Sequence, residues 1–328
     1  MEAAPLFAQL GLIVVLGFIT RRLLEGVPRG ERAAPRLRLF LNRAVLWATM
    51  PALVFQTVQA SPMGPDLVQA PAAAIAGMAG TALVAWLVLA RLYGKTPETG
   101  GLVLAASAGS VSFFGIPIVR AIFGAEEARV AVYFAVLNVP LALAAGAIIS
   151  ARIDRQRSAT ARVGARGDWA RSGLAYVTMA ARQLVTTPAT WALAAGVALQ
   201  GWNLGSEAGS VLSVVSKSVA PTTMFALGLG LRFERSFTPY RMALPAVAIK
   251  LAVSPLVVFA CAWAIGLSGL PLAIVSLQGA MPTQVLSVVV AERYRLDSRL
   301  VGLTLAMDTA LSFILLPIVI GVAGIGAR

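Results

Sequence analysis

The sequence predicts an all-α integral membrane protein of about ten transmembrane helices, and three observations lead there. Of the 328 residues, 58% are hydrophobic and only 12% are charged, about half the charged share of an ordinary soluble domain. The apolar residues fall in runs long enough, alone or with tilt, to cross a hydrocarbon core about 30 Å thick. The basic residues gather in alternate loops between those runs, as the positive-inside rule requires.

The runs cover 4–20, 39–58, 70–90, 101–123, 130–150, 186–202, 209–230, 242–266, 269–290 and 300–325. Span 1, from Pro5 to Thr20, has no basic segment before it and is followed by Arg21 and Arg22. It therefore reads as a retained span and not as a cleaved leader. The loops after spans 1, 3, 5, 7 and 9 hold most of the arginines and lysines. The other loops and both ends hold only Arg120, Arg129 and Arg328. This alternation supports the span count and predicts both termini outside a cytoplasmic membrane. The segment 152–185 is the longest loop and is rich in arginine. Its end, Trp169 to Gln183, has the composition of a basic amphipathic helix resting on anionic lipid, and equally of a solvated linker.

The chain has no histidine and one cysteine, Cys261, inside an apolar run. Disulfide frameworks, Cys/His zinc sites and Ser-His-Asp triads are excluded. No cofactor or metal is expected. The net charge of +13 does not point to nucleic acid, because it is spread over loops without a continuous basic stripe. A phosphate-binding loop of the GxxxxGK[ST] type is absent from the sequence. A membrane-embedded enzyme would need ligands or nucleophiles clustered at one depth, and the sequence offers few, so no enzymatic activity is expected.

Two pairs of segments look alike. "TMPALVFQTV" (Thr49 to Val58) matches "VAPTTMFALGL" (Val219 to Leu229), and "SFFGIPIV" (Ser112 to Val119) matches "QGAMPTQV" (Gln278 to Val285). The prolines Pro51 and Pro221 are 170 residues apart, and Pro117 and Pro282 are 165 apart. A five-span unit used twice must insert the second time upside down, and inverted repeats characterise secondary transporters. The predicted units are 1–151 and 186–328, joined by the basic loop 152–185. Spans 4 and 9 each carry a glycine and a proline near the middle, Gly115 with Pro117 and Gly279 with Pro282. Such residues free backbone groups, which lipid does not tolerate unless the break is buried in protein or lines a cavity. Paired breaks in matching halves point to a binding site, with half-helix N-termini offering positive charge to an anion.

These residues also resemble a known family. The segments "LNRAVLWATMPALVF", "SFFGIPIV", "MFALGLGL", "IKLAVSPL" and "MPTQVLSVVVAERYRLD", in that order and spacing, are similar to the auxin efflux carrier family. Its members include plant auxin exporters and bacterial carriers of malonate and related acids. The resemblance covers essentially the whole chain. It implies ten helices in two inverted five-helix units, with the fourth and ninth broken at prolines, here Pro117 and Pro282, and crossing near the membrane centre. The family's fourth helix often reads Asn-Thr-Gly-Phe-x-Gly-x-Pro. Here Ser110 stands where the asparagine is expected.

Few charged side chains lie inside the spans. Asp308 in span 10 is the one acidic residue there, and Arg43, Lys217 and Lys250 are the basic ones. Aligning the two repeats places Asn138 of span 5 in the mirrored position of Asp308. Asp308 is expected either to take up a coupling proton or to neutralise Lys250; the two roles differ in its protonation state. The candidate substrate-binding residues are Ser110, Ser112, Gly115, Pro117, Asn138, Gly279, Pro282, Thr283 and Gln284. The expected function is a secondary carrier of a small organic anion such as a mono- or dicarboxylate. A sodium-coupled organic-anion symporter of the bile-acid type is the alternative, and a channel or receptor follows it. Lipid, the anion and a coupling proton or sodium are the expected partners, a homodimer stays open, and no nucleic acid is expected.

Overall fold

The computed structural model describes residues 3–26, 33–61, 64–160, 178, 182, 185–202, 205–231 and 237–322. Its path is a sequence of helices: α1 (Ala3–Glu25), α2 (Ala33–Gln59), α3 (Asp66–Tyr93), α4 (Pro97–Ser107), α5 (Val111–Phe123), α6 (Ala128–Ala135), α7 (Asn138–Thr160), α8 (Pro188–Ala198), α9 (Ser206–Gly230), α10 (Thr238–Ala264), α11 (Gly269–Gly279), α12 (Leu286–Arg293) and α13 (Ser298–Val322). Among the described residues the one β-type pairing is an isolated antiparallel bridge between Gly109 and Thr283.

Among the described residues, seven helical stretches are long and apolar enough to cross a membrane, and three shorter apolar helices, Val111–Phe123, Pro188–Ala198 and Gly269–Gly279, accompany them. The outer surface agrees with a lipid environment. Trp47, Leu83, Trp263 and Ile314 are exposed large hydrophobics, which a protein in water would not display so widely. An all-helical path keeps backbone bonds inside each segment, as hydrocarbon demands.

The predicted span 4 is broken at a different place from the one expected. The helix stops at Ser107, runs extended through Ala108 (φ −94°, ψ 108°), and resumes at Val111. Pro117 lies beyond the break, in the first turn of the α-helical run Ile116–Phe123. A proline at such a start costs little, because its missing N–H would be an orphan there anyway. The residues that turn the chain are Gly109 and Ser110, an amino-acid pair that relaxes the helix without proline. In span 9 the break falls at its proline: α11 ends at Gly279, and Pro282 lies in the interval before α12. The helix of span 5 also outlasts its predicted end, since α7 continues to Thr160, so the first part of the predicted loop 152–185 is helical. The proposed surface helix Trp169–Gln183 lies outside the described residues apart from Thr178 and Arg182.

Among the described residues three π-helical turns interrupt otherwise α-helical spans: Val45–Thr49 in α2, Val111–Gly115 in α5 and Ile249–Val253 in α10. Each is followed two residues later by a proline, Pro51, Pro117 and Pro255. Proline clashes with the carbonyl four residues back and offers it no hydrogen bond; a wider turn just before it relieves that carbonyl.

Helix packing divides broadly in two. α1 packs on the second half of α9, and α2 packs on α8 and α9. α3 packs on α4, α6 and α10, while α13 packs on α4, α10 and α12. The closest approach is between α1 and α9. A Cβ at Gly17 would lie 2.3 Å from the carbonyl oxygen of Phe225, and one at Gly228 2.1 Å from that of Val14. Only hydrogen side chains permit this backbone-on-backbone contact.

Candidate functional site

The two broken spans meet. Ser110 N–H donates to the carbonyl of Pro282 at 2.6 Å, and Gln284 N–H donates to the carbonyl of Ala108 at 3.0 Å. The interruption in each span thus supplies the partners that the interruption in the other lacks, and the freed backbone groups of both are satisfied deep in the protein. The Ser110 carbonyl also accepts from Phe114 N–H and Gly115 N–H, which starts the π-helical turn of α5.

One side chain from the following helix grips each break. Asn138, at the start of α7, donates through Nδ2 to the Gly109 carbonyl at 2.9 Å and to Gln284 Oε1 at 2.8 Å. Both amide hydrogens are used, one on each broken span. Asp308 of α13 takes the break of span 9: its Oδ2 accepts from Thr283 N–H at 2.9 Å and lies 2.5 Å from Thr283 Oγ1. Thr283 Oγ1 also lies 2.9 Å from the Ala105 carbonyl of α4. Asp308 is fully buried. Its Oδ1, together with Gln278 Oε1 and Gln284 Nε2, is buried without a hydrogen-bond partner among the described residues.

Two cavities border the crossing, and Asn138 lines both. The smaller has a volume of about 20 Å3 and is lined by Ser107, Gly109, Lys250, Gln278 and Gly279 among others. That is room for about one water molecule. The larger, about 60 Å3, is faced by Ser110, Ser112, Gln284, Met50, Thr187 and Thr190. Gly115, Pro117, Pro282 and Thr283 line neither cavity. Gly115 is instead a packing position, because a Cβ there would come within 1.8 Å of Gln278 Oε1. Of the nominated residues, Ser110, Asn138, Pro282, Thr283 and Gln284 join the crossing directly through their own bonds. Asp308 and Lys250 do not form an ion pair; Asp308 is engaged by Thr283, and the Lys250 ammonium lies against Gly109.

Several participants were not singled out from sequence. Gln278 of α11 donates through Nε2 to the Ala131 carbonyl at 3.2 Å and so ties span 9 to α6. Its position three residues before a Met-Pro pair inside an apolar run was the available signal. Further along, Arg120 at the end of α5 donates to Gln56 Oε1 at 3.1 Å and Thr57 Oγ1 at 3.4 Å, and Ser216 of α9 donates to the same Gln56 oxygen at 2.6 Å. Three helices are tied there, and no local pattern marks the cluster. Beyond it, Asp66 and Arg129 form a largely buried ion pair at 3.1 Å between the starts of α3 and α6.

Residues 8–320 match the family model described as "Membrane transport protein". A protein named an uncharacterized transporter, from Methanothermobacter thermautotrophicus, is 26% identical over 310 residues, 94% of each chain. Another of that description, from Methanocaldococcus jannaschii, is 20% identical over 314 residues, 93% of this chain and 94% of the relative. Auxin efflux carrier component 8 of Arabidopsis thaliana is 26% identical over 146 residues, 40% of each chain.

Proposed function

The chain belongs to the membrane transport protein family that holds the auxin efflux carriers, and we propose that it is a secondary carrier of a small organic anion working by alternating access. The observation that carries this reading is the crossing itself. Two interrupted spans pair by backbone bonds, and the uncharged donors of Ser110, Ser112 and Asn138 border the cavities beside them. Gln284 Nε2, a buried donor without an acceptor on the wall of the larger cavity, and the Ser110 and Ser112 hydroxyls beside it suit a carboxylate, and the shared crossing gives the two halves of the molecule a common pivot. The spacing of the matched prolines supports an inverted repeat of five spans as the basis of that motion. The sodium-coupled alternative would need several oxygen ligands around one point. Here the crossing already holds the ammonium of Lys250, which repels a cation.

The test is uptake of labelled mono- and dicarboxylates into proteoliposomes, with and without an imposed pH gradient. Saturable uptake of an acid, with counterflow, supports the carrier. Absence of uptake for every acid, with inserted folded protein, sinks it.

Loop charge orients the molecule with the Thr187 end of α8 toward the cytoplasm. The cavity of about 60 Å3 lined by Thr187 and Thr190 then lies on the inner side of the crossing. The Arg120, Gln56 and Ser216 cluster closes the outer side. Hydrogen bonds to a charged group contribute about 1.5–3 kcal/mol each, so losing the Gln56 acceptor shifts the closed-to-open ratio roughly tenfold or more. We expect Gln56→Ala to speed labelling, by an impermeant maleimide added outside, of a reporter cysteine placed at Ser112 in a Cys261→Ala background. An unchanged labelling rate would deny the cluster a gating role.

A further inference from the structure

Lys250 sits in the π-helical turn Ile249–Val253 of α10, is 2% exposed, and is one of the largest fully buried side chains. The burial takes in the charged end as well as the aliphatic stem. A methyl group added at Gly109 would lie 2.9 Å from Nζ and 3.3 Å from the Met281 carbonyl oxygen. The ammonium is therefore held at the crossing, in the gap that a glycine leaves open.

An ammonium has three hydrogens to donate. Among the described residues Nζ makes no hydrogen bond and no ion pair. The carbonyl of Gly109 beside it is already taken by Asn138. Asp308 acts on Lys250 through its field, but its Oδ2 is committed to Thr283. The charged residues Arg120, Arg129 and Asp66 form contacts of their own elsewhere. What Lys250 does face is the cavity of about 20 Å3, whose walls include Ser107, Asn138, Ser254 and Gln278. A buried, unpaired charge is strongly unfavourable, and a methionine of similar size would serve packing better. An anion that arrives during the cycle removes the imbalance.

We propose that Lys250 is an anion-binding residue of the carrier, and that its ammonium receives one carboxylate group of the substrate at the span 4 break. This rests on the carrier reading and deepens it, since it names the group that neutralises the charge. In the conformation described the cavity holds about one water, so the carboxylate enters when the crossing's surroundings open, and Asn138, which lines both cavities, is placed to hand it from the larger to the smaller. Ser254 supplies a further hydroxyl on the wall, whereas the Ser107 hydroxyl donates back to the Val103 carbonyl of its own helix. The competing role is structural: a cation next to the C-terminal end of α4 also complements that half-helix's dipole.

Two measurements separate these roles. The first is thermal stabilisation of the detergent-solubilised protein by acetate and by malonate, at constant ionic strength. The second is the dependence of initial uptake on carboxylate concentration in proteoliposomes. We expect Lys250→Met to lose the carboxylate-induced stabilisation and to raise KM about tenfold or more, while Lys250→Arg keeps stabilisation and shows a smaller rise. A purely structural role predicts lower folded yield or lower kcat with KM and the ligand shift unchanged, and that result overturns the proposal. Equal stabilisation of wild type and Lys250→Met by both acids overturns it as well, even if the carrier reading stands. If wild type shows neither uptake nor stabilisation, both fall together.

Discussion

Replacing Asp308 with asparagine is expected to abolish uptake driven by an imposed pH gradient while leaving exchange of labelled for unlabelled substrate in place. The reason lies in one hydrogen. Thr283 Oγ1 is 2.5 Å from Asp308 Oδ2 and 2.9 Å from the Ala105 carbonyl, but a hydroxyl carries a single proton to donate. With Asp308 ionised, the hydroxyl donates to the carboxylate. With Asp308 protonated, the acid donates to Oγ1, and the hydroxyl is released to the Ala105 carbonyl. Proton uptake therefore reverses the hydrogen bond between the span 9 break and α13 and adds one from the break to α4. Asparagine offers a carbonyl oxygen that still accepts from Thr283 N–H and Oγ1, so the crossing holds, but it takes up no proton. Asp308→Leu removes the acceptor altogether. Each buried donor left unsatisfied costs about 1–3 kcal/mol, so that variant is expected to lose folded protein. Proteoliposome uptake with a stepped external pH, run beside counterflow, distinguishes the outcomes. A gradient response that survives in Asp308→Asn would remove Asp308 from the coupling step.

The largest effect on stability is expected at the contact of α1 with α9. Gly228→Val places a branched side chain where the Val14 carbonyl oxygen already lies 2.1 Å from the position of a Cβ. No rotamer change relieves a clash with backbone, so the helices must separate along their length. Overpacking typically costs about 1–3 kcal/mol and sometimes more, and about 1 kcal/mol shifts Tm by about 2–4 °C in a protein of this order of size. A fall in Tm of roughly 5–10 °C, or failure to accumulate in the membrane, is the expected result. Gly209, which lies in the same helix and has no neighbour within 4 Å of an added Cβ, is the control: Gly209→Ala should leave Tm unchanged or raise it slightly, because alanine favours the helix. Equal behaviour of the two variants would show that the α1 and α9 contact contributes little.

Hydropathy made the membrane-spanning character legible because long apolar runs leave little alternative in lipid. The position of the breaks was harder to read. Pro282 lies within the interval between the two helices of its span, whereas Pro117 sits in a helix start and leaves the turn to Gly109 and Ser110. Asn138 and Asp308 were legible as a mirrored pair, 170 residues apart, and each bonds to a break. Whether Asp308 and Lys250 touch was not legible, because composition gives charge but not separation. The Arg120 cluster is formed by three helices distant in sequence, and no window of the chain contains it.

The three π-helical turns have a consequence for how this chain tolerates change in length. A π turn holds one residue more than the α turn it replaces. Removing a single residue from Val45–Thr49, Val111–Gly115 or Ile249–Val253 would let the helix close into ordinary geometry, so the backbone has somewhere to absorb the loss. The faces of the helix on either side would keep their phase, because one wide turn is replaced by one ordinary turn. The same deletion from a purely α-helical stretch would turn everything beyond it by about 100° about the axis, one residue's share of a 3.6-residue turn. A residue lost from the π turn of α5 therefore leaves Arg120 facing Gln56, whereas one lost from Ile116–Phe123 before Arg120 turns it away. These turns act as slack in the chain: each is a place where the helix can shorten by one residue without rotating the half that lies beyond it.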